Sequence, residues 1–231
     1  PEDVDAKVKL GEAAAIGFEI PEVVDKFGRK YRMVRPGSFS PPGATRVVRN
    51  MCLLYVAVFE TTGADFDAYV AATNRKPPAS AGEYSDFDRS LALGAIGRDE
   101  AEAYCAWLTR THRDNPRFAH ATFRLPTSDE WSVFAQNAEG EMFYPWGPEW
   151  DKSKTANFER GDLTPYRPGS FPEDVSKFGM MDVSGNLAEL VVDSEAPDRL
   201  TIRGGSFRGN RDSCRLNHTE VIRPPGAPNV G

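Results

Sequence analysis

Cysteine and histidine are scarce in this sequence, and positive charge is in deficit. The three cysteines, Cys52, Cys105 and Cys214, lie far apart with no CxxC pair, which argues against a disulfide framework. They read as reduced, mostly buried thiols, with one bridge and one spare thiol as the alternative. No apolar run approaches the roughly 20 residues that span a bilayer. Acids outnumber bases 34 to 28, for a net charge of −6. A protein that coats phosphates needs a basic face, so nucleic acid is not an expected partner. No internal repeat or low-complexity tract is evident. The chain starts at Pro1 without Met or signal peptide, which reads as a fragment or processed form and leaves localisation open.

What is present suits a folded domain. At 231 residues with 40% hydrophobic and 27% charged residues, the chain can bury a core as one large domain or two small ones. Residues 1–27 are acidic and helix-permissive and read as a leader or linker, with the domain over 28–231. The stretch Phe27–Phe39 reads as a strand entering a turn at Pro36-Gly37. Val47–Val58 reads as a strand pair or one long strand.

Three helices are predicted, over about 62–74, 98–113 and 128–138. Thr62 caps the first, with Asp65 at its third helical position, and Thr127 with Glu130 forms a capping box for the third. The second places Asp99, Glu100 and Glu102 early and Arg110, His112 and Arg113 late, as the helix dipole favours. After Gly140 the chain is dense in Gly, Pro, Asn and Asp. It reads as short strands (within Met180–Val183, Leu187–Val192 and Leu200–Phe207) joined by long ordered loops, and loops of that length need something to hold them.

Four segments occur in order: RLPTSDEW (Arg124–Trp131), YPWG (Tyr144–Gly147) followed by Ala156-Asn157, FGMMDVSGNLAE (Phe178–Glu189), and IRGGSF (Ile202–Phe207) followed by Cys214-Arg215 and the terminal Asn229-Val230-Gly231. Glu60–Tyr69 and Asp99–Leu108 agree with them. The set resembles the formylglycine-generating enzyme family, or sulfatase-modifying factors, over about residues 30–231. The resemblance implies an α+β fold with little regular secondary structure, a variant of the C-type lectin fold. It also implies several activities: copper oxidases that make formylglycine, iron-dependent sulfoxide synthases, an oxidase-like branch in siderophore maturation, silent paralogues, and variable ligand-binding proteins diversified by retroelements.

The resemblance implies copper cysteines at positions 209 and 214. Here they are Gly209 and Cys214, and one thiol cannot make a two-thiolate copper(I) site. An iron centre wants about three imidazole or carboxylate ligands. The three histidines, His112, His120 and His218, read as ordinary surface residues, with His112 at the exposed end of the second helix. No GxSxG elbow supports a serine hydrolase. No catalytic residue is therefore assigned, and no copper is expected.

Structural calcium is the cofactor that the resemblance implies. One loop would use the side chains of Asp182 and Glu189 with the carbonyls of Gly185 and Leu187. The other would use Asn157 and Phe158, with Asp162 and Thr164 nearest in a shortened loop. Hard cations want such oxygen donors; the plainer reading is Asx turns beside Gly185. Trp131, Tyr144 and Trp146 read as core, and Arg203 as a buried hydrogen-bonding anchor.

The segment 207–228 follows the scaffold motif but is polar: Phe207, Arg208, Asn210, Arg211, Asp212, Asn217, His218, Thr219, Glu220 and Arg223. The resemblance places it on the exposed ligand face, where diversified proteins vary. The function expected is a non-catalytic module that binds a protein or small-molecule ligand. The alternatives are an oxidoreductase-like enzyme using another site, as in siderophore maturation, and an accessory or sensor domain of a larger protein.

Overall fold

The computed structural model describes residues 22–40, 47–50, 52–75, 88–94, 96–136 and 142–222. The leader up to residue 21, positions 137–138 of the third expected helix and the end of the polar segment from Arg223 lie outside the described residues.

Short antiparallel strands make three small sheets. β1 (Glu22–Val24) pairs with β2 (Lys30–Val34), which pairs with β5 (Leu54–Ala57). The expected boundary at residue 27 therefore falls inside a hairpin of the domain, because Val23 lies opposite Tyr31 and is buried with it. β3 (Gly37–Phe39) pairs with β4 (Val48–Asn50), so Val47–Val58 contributes two strands to two sheets. β6 (Glu189–Val192), β7 (Leu200–Arg203) and β8 (Glu220–Val221) form the third sheet. Met180–Val183 is not a strand; it makes one isolated bridge, Val175 to Met181.

The helices stop and start where their side chains say. α1 (Gly63–Thr73) begins at Thr62, whose hydroxyl accepts from the Asp65 amide while Asp65 accepts from the Thr62 amide, and it ends on left-handed Asn74 at φ 51°. α3 (Ser128–Ala135) repeats that reciprocal cap with Thr127 and Glu130. α2 (Arg98–Thr111) has no side-chain cap but carries Asp99 and Glu100 in its first turn and Arg110 in its last.

Trp131, Val133 and Phe134 of α3 pack with Val34, Val48, Val191, Met180 and Leu216 in the main core. α1 and α2 meet through Phe66, Tyr69, Tyr104, Trp107 and Leu108. A third group, Ala156, Phe171 and Phe207, holds the loop-rich end together. The rest of 142–222 has two single 3-10 turns and otherwise long loops between its strands. α-Helices and antiparallel sheets are both present and regular structure is sparse, so the fold class is α+β.

The helical end also contains a buried charge cluster. His112 is fully buried, not exposed at a helix end. Its Nδ1 lies 2.8 Å from the Leu108 carbonyl and its Nε2 lies 3.3 Å from Asp25 Oδ2. Asp25 is met by the Arg29 guanidinium at 2.8 Å, the Tyr31 hydroxyl at 3.1 Å, and the amides of Phe27 and Arg29. The β1–β2 turn folds over the end of α2 and covers the ring, with Phe27 stacked on Trp107.

Candidate functional site

The segment after β7 alternates anchors with exposed side chains. Gly204 and Gly205 both sit at positive φ, 83° and 78°. A Cβ on Gly205 would lie 2.7 Å from the Ser213 carbonyl and 2.8 Å from Cys214 Cα, so only glycine lets the segment fold back so closely. Phe207, expected on the ligand face, is instead core: it is buried with Ala156 and Phe171. Asn210 is a turn residue; its Oδ1 accepts from the amides of Asp212 and Ser213 at 3.0 and 3.1 Å. Cys214 is buried, and its carbonyl accepts from the Ser184 hydroxyl at 2.6 Å. The Leu216 carbonyl accepts from Arg203 at 2.7 Å, and its amide donates to Phe143 at 2.8 Å.

Between these anchors Arg208, Arg211, Asp212, Asn217, Thr219 and Glu220 are exposed, and His218 is half-exposed. Asp212 pairs with Arg215 at 3.1 Å. His120, on a distant turn, is exposed as expected.

Two loops flank this segment. The Phe158 amide donates to the Gly209 carbonyl at 3.0 Å, and the Tyr144 hydroxyl donates to the Arg211 carbonyl at 3.0 Å. Trp131 and Tyr144 are core residues as expected, at 1% and 2% exposure. Trp146 is only half-buried and stacks on Tyr144 at 5.4 Å between centroids. Arg203 is the buried anchor, lying over Trp131 at 4.4 Å and donating to Ser128 Oγ at 2.8 Å.

Beneath this face the residues expected to hold calcium come together with two acids that the sequence did not single out. Asp182 and Asn186 adopt left-handed φ of 57° and 51°. Asp182 Oδ2 accepts from the Gly169 amide at 2.6 Å, while its Oδ1 is buried without a hydrogen-bond partner. Glu189 Oε2 is likewise buried, and the Trp131 indole N–H lies near the carboxylate without reaching hydrogen-bond geometry. A Cβ on Gly204 would collide with that oxygen, so this glycine makes the room for it. Glu60, arriving from the β5–α1 junction, accepts from the Leu187 amide at 3.0 Å and from the Asn186 side chain. Asp174 is fully buried; the Thr155 hydroxyl and Ser184 amide lie near it without reaching hydrogen-bond geometry.

Burial pushes the Asp182 carboxyl up to about 6. Burial also drives Glu60, Asp174 and Glu189 well above the usual carboxylate range, with the neighbouring carboxylates adding to it. Asp182 and Glu189 fit a hard cation in their chemistry, as buried unpaired oxygens on ordered loops. Among the described residues no three acidic, histidine or cysteine side chains converge closely enough for a metal. A cation here would need the carbonyls of Gly185 and Leu187 to complete its shell.

The other expected loop differs. The Asn157 amide donates to Asp162 Oδ2 at 3.1 Å, so these two residues do meet. Arg160 donates to the same oxygen at 3.1 Å, and the Tyr166 hydroxyl donates to Oδ1 at 3.0 Å. A guanidinium of the chain already faces this carboxylate. The Asn157 side chain caps the 3-10 turn Phe158–Arg160, while the side chains of Phe158 and Thr164 are exposed.

At the copper position, a Cβ on Gly209 would collide with Ser213 Oγ and come 3.0 Å from the Ser206 carbonyl. Burial pushes the Cys214 thiol up to about 12, far from the thiolate that copper(I) wants. Cys105 is half-buried with its thiol raised to about 11 by burial, and Cys52 is exposed rather than buried; all three are free thiols.

Residues 33–229 match the sulfatase-modifying factor enzyme 1-like domain. The chain belongs to this family. Among curated relatives it is 27% identical over 166 residues to the inactive C-alpha-formylglycine-generating enzyme 2 of Mus musculus, covering 65% of this chain and 49% of that one. It is 31% identical over 143 residues to the serine/threonine-protein kinase Pkn1 of Chlamydia trachomatis, covering 54% of this chain and 20% of that one. The chain thus spans half or less of the length of these curated relatives.

Two solved structures share the fold of this sulfatase-modifying factor domain. Treponema denticola variable protein 1 superposes with a TM-score of 0.66 at 14% identity, over 88% of this chain and 93% of that one. PvdO from Pseudomonas aeruginosa superposes at 0.71 and 18% identity, over 90% of this chain and 95% of that one. The fold is the formylglycine-generating enzyme type of α+β domain, a variant of the C-type lectin fold.

Proposed function

We propose that this domain is a non-catalytic binding module whose ligand face is carried by residues 208–220. The observation that carries the reading is the alternation just described. Phe207, Asn210, Cys214 and Leu216 fix the backbone, while Arg208, Arg211 and Asn217 turn their side chains outward. A face built this way accepts changes in its outward residues without disturbing its support. Likeness to a relative named inactive and to a variable protein supports this reading. Gly209 and the protonated Cys214 thiol speak against copper chemistry at this position.

The decisive experiment is a pull-down with the wild-type chain and with Arg208, Arg211 and Asn217 changed together to Ala. Loss of the wild-type partners with an unchanged melting temperature supports the reading. Retained partners place the ligand face elsewhere. Diversification by a retroelement is a separate part of the proposal. It expects sibling copies to differ within 208–229 at adenine-containing codons, and uniform copies would sink it.

In the same reading calcium is structural. It would sit between Asp182 and Glu189 and tie together loops that lack secondary structure of their own. A second reading, an accessory domain of a larger protein, is favoured by the match to one fifth of the chlamydial kinase chain.

A further inference from the structure

Beside the 208–220 segment lies an open cavity of about 470 Å³ lined by Trp146, Trp150, Glu149, Asp151, Lys152 and Glu159, among others. Tyr144 joins it to the segment, since its hydroxyl reaches the Arg211 carbonyl and its ring stacks on Trp146. The Trp146 and Trp150 rings lie 6.0 Å apart at 46° and form an angled notch. Each indole N–H is turned to an internal acceptor: Trp146 to the Glu149 carbonyl and Trp150 to the Glu159 carboxylate, both at 3.0 Å. The indole N–H groups are thus satisfied; Tyr144 packs on both rings, at 5.4 and 5.1 Å between centroids, and both rings line the cavity.

Elsewhere the chain covers such surfaces itself: Arg203 lies over Trp131, Arg160 over Phe171 and Arg215 over Phe143. Among the described residues no arginine or lysine lies over Trp146 or Trp150. The lining carries three carboxylates, Glu149, Asp151 and Glu159. Both lysines of the lining are engaged, Lys152 with the Glu159 carbonyl and Lys154 with Glu173 at 3.1 Å.

We infer that this notch binds a quaternary ammonium group. Tryptophan is the strongest π-partner for a cation, and the attraction grows as the cation sheds water. An alkylated ammonium is bulky and weakly hydrated, so it can seat on both rings while the carboxylates supply long-range attraction. The group could arrive on a trimethylated lysine or on a choline headgroup. The headgroup brings a phosphate toward the carboxylates, and the peptide does not, so a trimethyllysine peptide is the favoured source.

The inference extends the binding-module reading, and its test stands apart from it. The full chain is titrated calorimetrically with choline, its neutral isostere 3,3-dimethylbutan-1-ol, phosphocholine and a trimethyllysine peptide. Saturable choline binding is expected, with the neutral isostere at least about tenfold weaker, phosphocholine weaker than choline, and the peptide at least as tight. Trp150→Leu should abolish choline binding. Glu149→Gln, which changes an exposed side chain and keeps the backbone carbonyl that Trp146 uses, should weaken it several-fold and decides the matter if the tryptophan variant does not fold. Absence of choline binding, equal binding of the isostere, or no effect of Glu149→Gln overturns the inference. If partner capture by residues 208, 211 and 217 persists in that case, the binding-module reading survives without it.

Discussion

The molecule buries charge at two ends and treats it in opposite ways. At the helical end Asp25 meets Arg29, Tyr31, His112 and two backbone amides; burial pushes its carboxyl up, but the Arg29 guanidinium with the amides of Arg29 and Phe27 outweighs this and holds it below the ordinary range. At the loop-rich end buried Asp174 and Asp182 lie near half-buried Glu60 and Glu189, and burial of the carboxyl groups raises all four above the usual range, with neighbouring carboxylates adding to it for Glu60, Asp174 and Glu189. In the first cluster both oxygens of the Asp25 carboxylate are met within the chain. The second keeps oxygens without partners. A buried charge must be matched or neutralised: the first carboxylate is matched by its own chain, and the second group is neutralised by protons or, in the reading proposed above, matched by calcium.

The sharpest way to break this contrast is at Asp25. Asp25→Ala strands Arg29 and His112 and should destabilise the fold by about 3–5 kcal/mol. The loss, read by chemical denaturation, should be the same with calcium or with chelator. A calcium-dependent loss would mean that the two ends are one system.

Next comes calcium itself. At a hundredfold excess over its dissociation constant it should add about 2.7 kcal/mol, seen as a higher melting temperature. Glu189→Gln should abolish that gain, while Asp162→Asn should leave it intact because Arg160 already faces Asp162. A melting temperature indifferent to chelator would show that the loops are held by hydrogen bonds alone.

A smaller effect should appear with pH in chelator. The Asp182 carboxyl is raised from 3.8 to about 6 in the folded state. At this group the folded state therefore binds more protons than the unfolded chain across that interval, and its contribution to stability falls as pH rises from about 4 to about 6, while the lowered carboxyls of Asp25 and Glu130 contribute with the opposite sign. Calcium should flatten or reverse the slope. The part that Asp182 carries is isolated by comparison with Asp182→Asn in chelator, and an identical slope in the two proteins would contradict its burial as an acid.

The smallest effects belong to the outward side chains. Alanine at Arg208, Arg211 or Asn217 should shift stability by no more than about 0.5 kcal/mol each, whereas Trp131→Ala should cost about 3–5 kcal/mol. Melting curves of the single variants make the comparison.

Local signals were legible where one short stretch contained both partners. The caps of α1 and α3 are three-residue matters, so Thr62 with Asp65 and Thr127 with Glu130 could be read directly. The anchoring role of Arg203 and the core positions of Trp131 and Tyr144 followed from their motifs. What failed depended on distant covering. His112 is buried only because a turn some 85 residues earlier folds over it, as the reach of Lys26 to the Thr111 carbonyl illustrates. Phe207 turns inward because two left-handed glycines redirect the chain just before it. Asn210 looks like a contact residue in sequence and serves its own turn. Asp174 and Glu60 join the acidic cluster from loops whose convergence no periodicity encodes. Some signal was present for Glu60, since a lone acid ending a β-strand run before a capping Thr has few reasons to be apolar-flanked.

Gly209 also bears on any attempt to build a thiol pair here. Its backbone φ is outside the left-handed region, so conformation alone would admit a cysteine. The obstacle is steric: a Cβ would collide with the Ser213 hydroxyl, which is itself held by donating to the Asn210 carbonyl at 2.9 Å, and would come 3.0 Å from the Ser206 carbonyl. Installing a second thiol five residues before Cys214 therefore asks for two changes, Gly209→Cys with Ser213→Ala, and for a small shift of the backbone at Ser206.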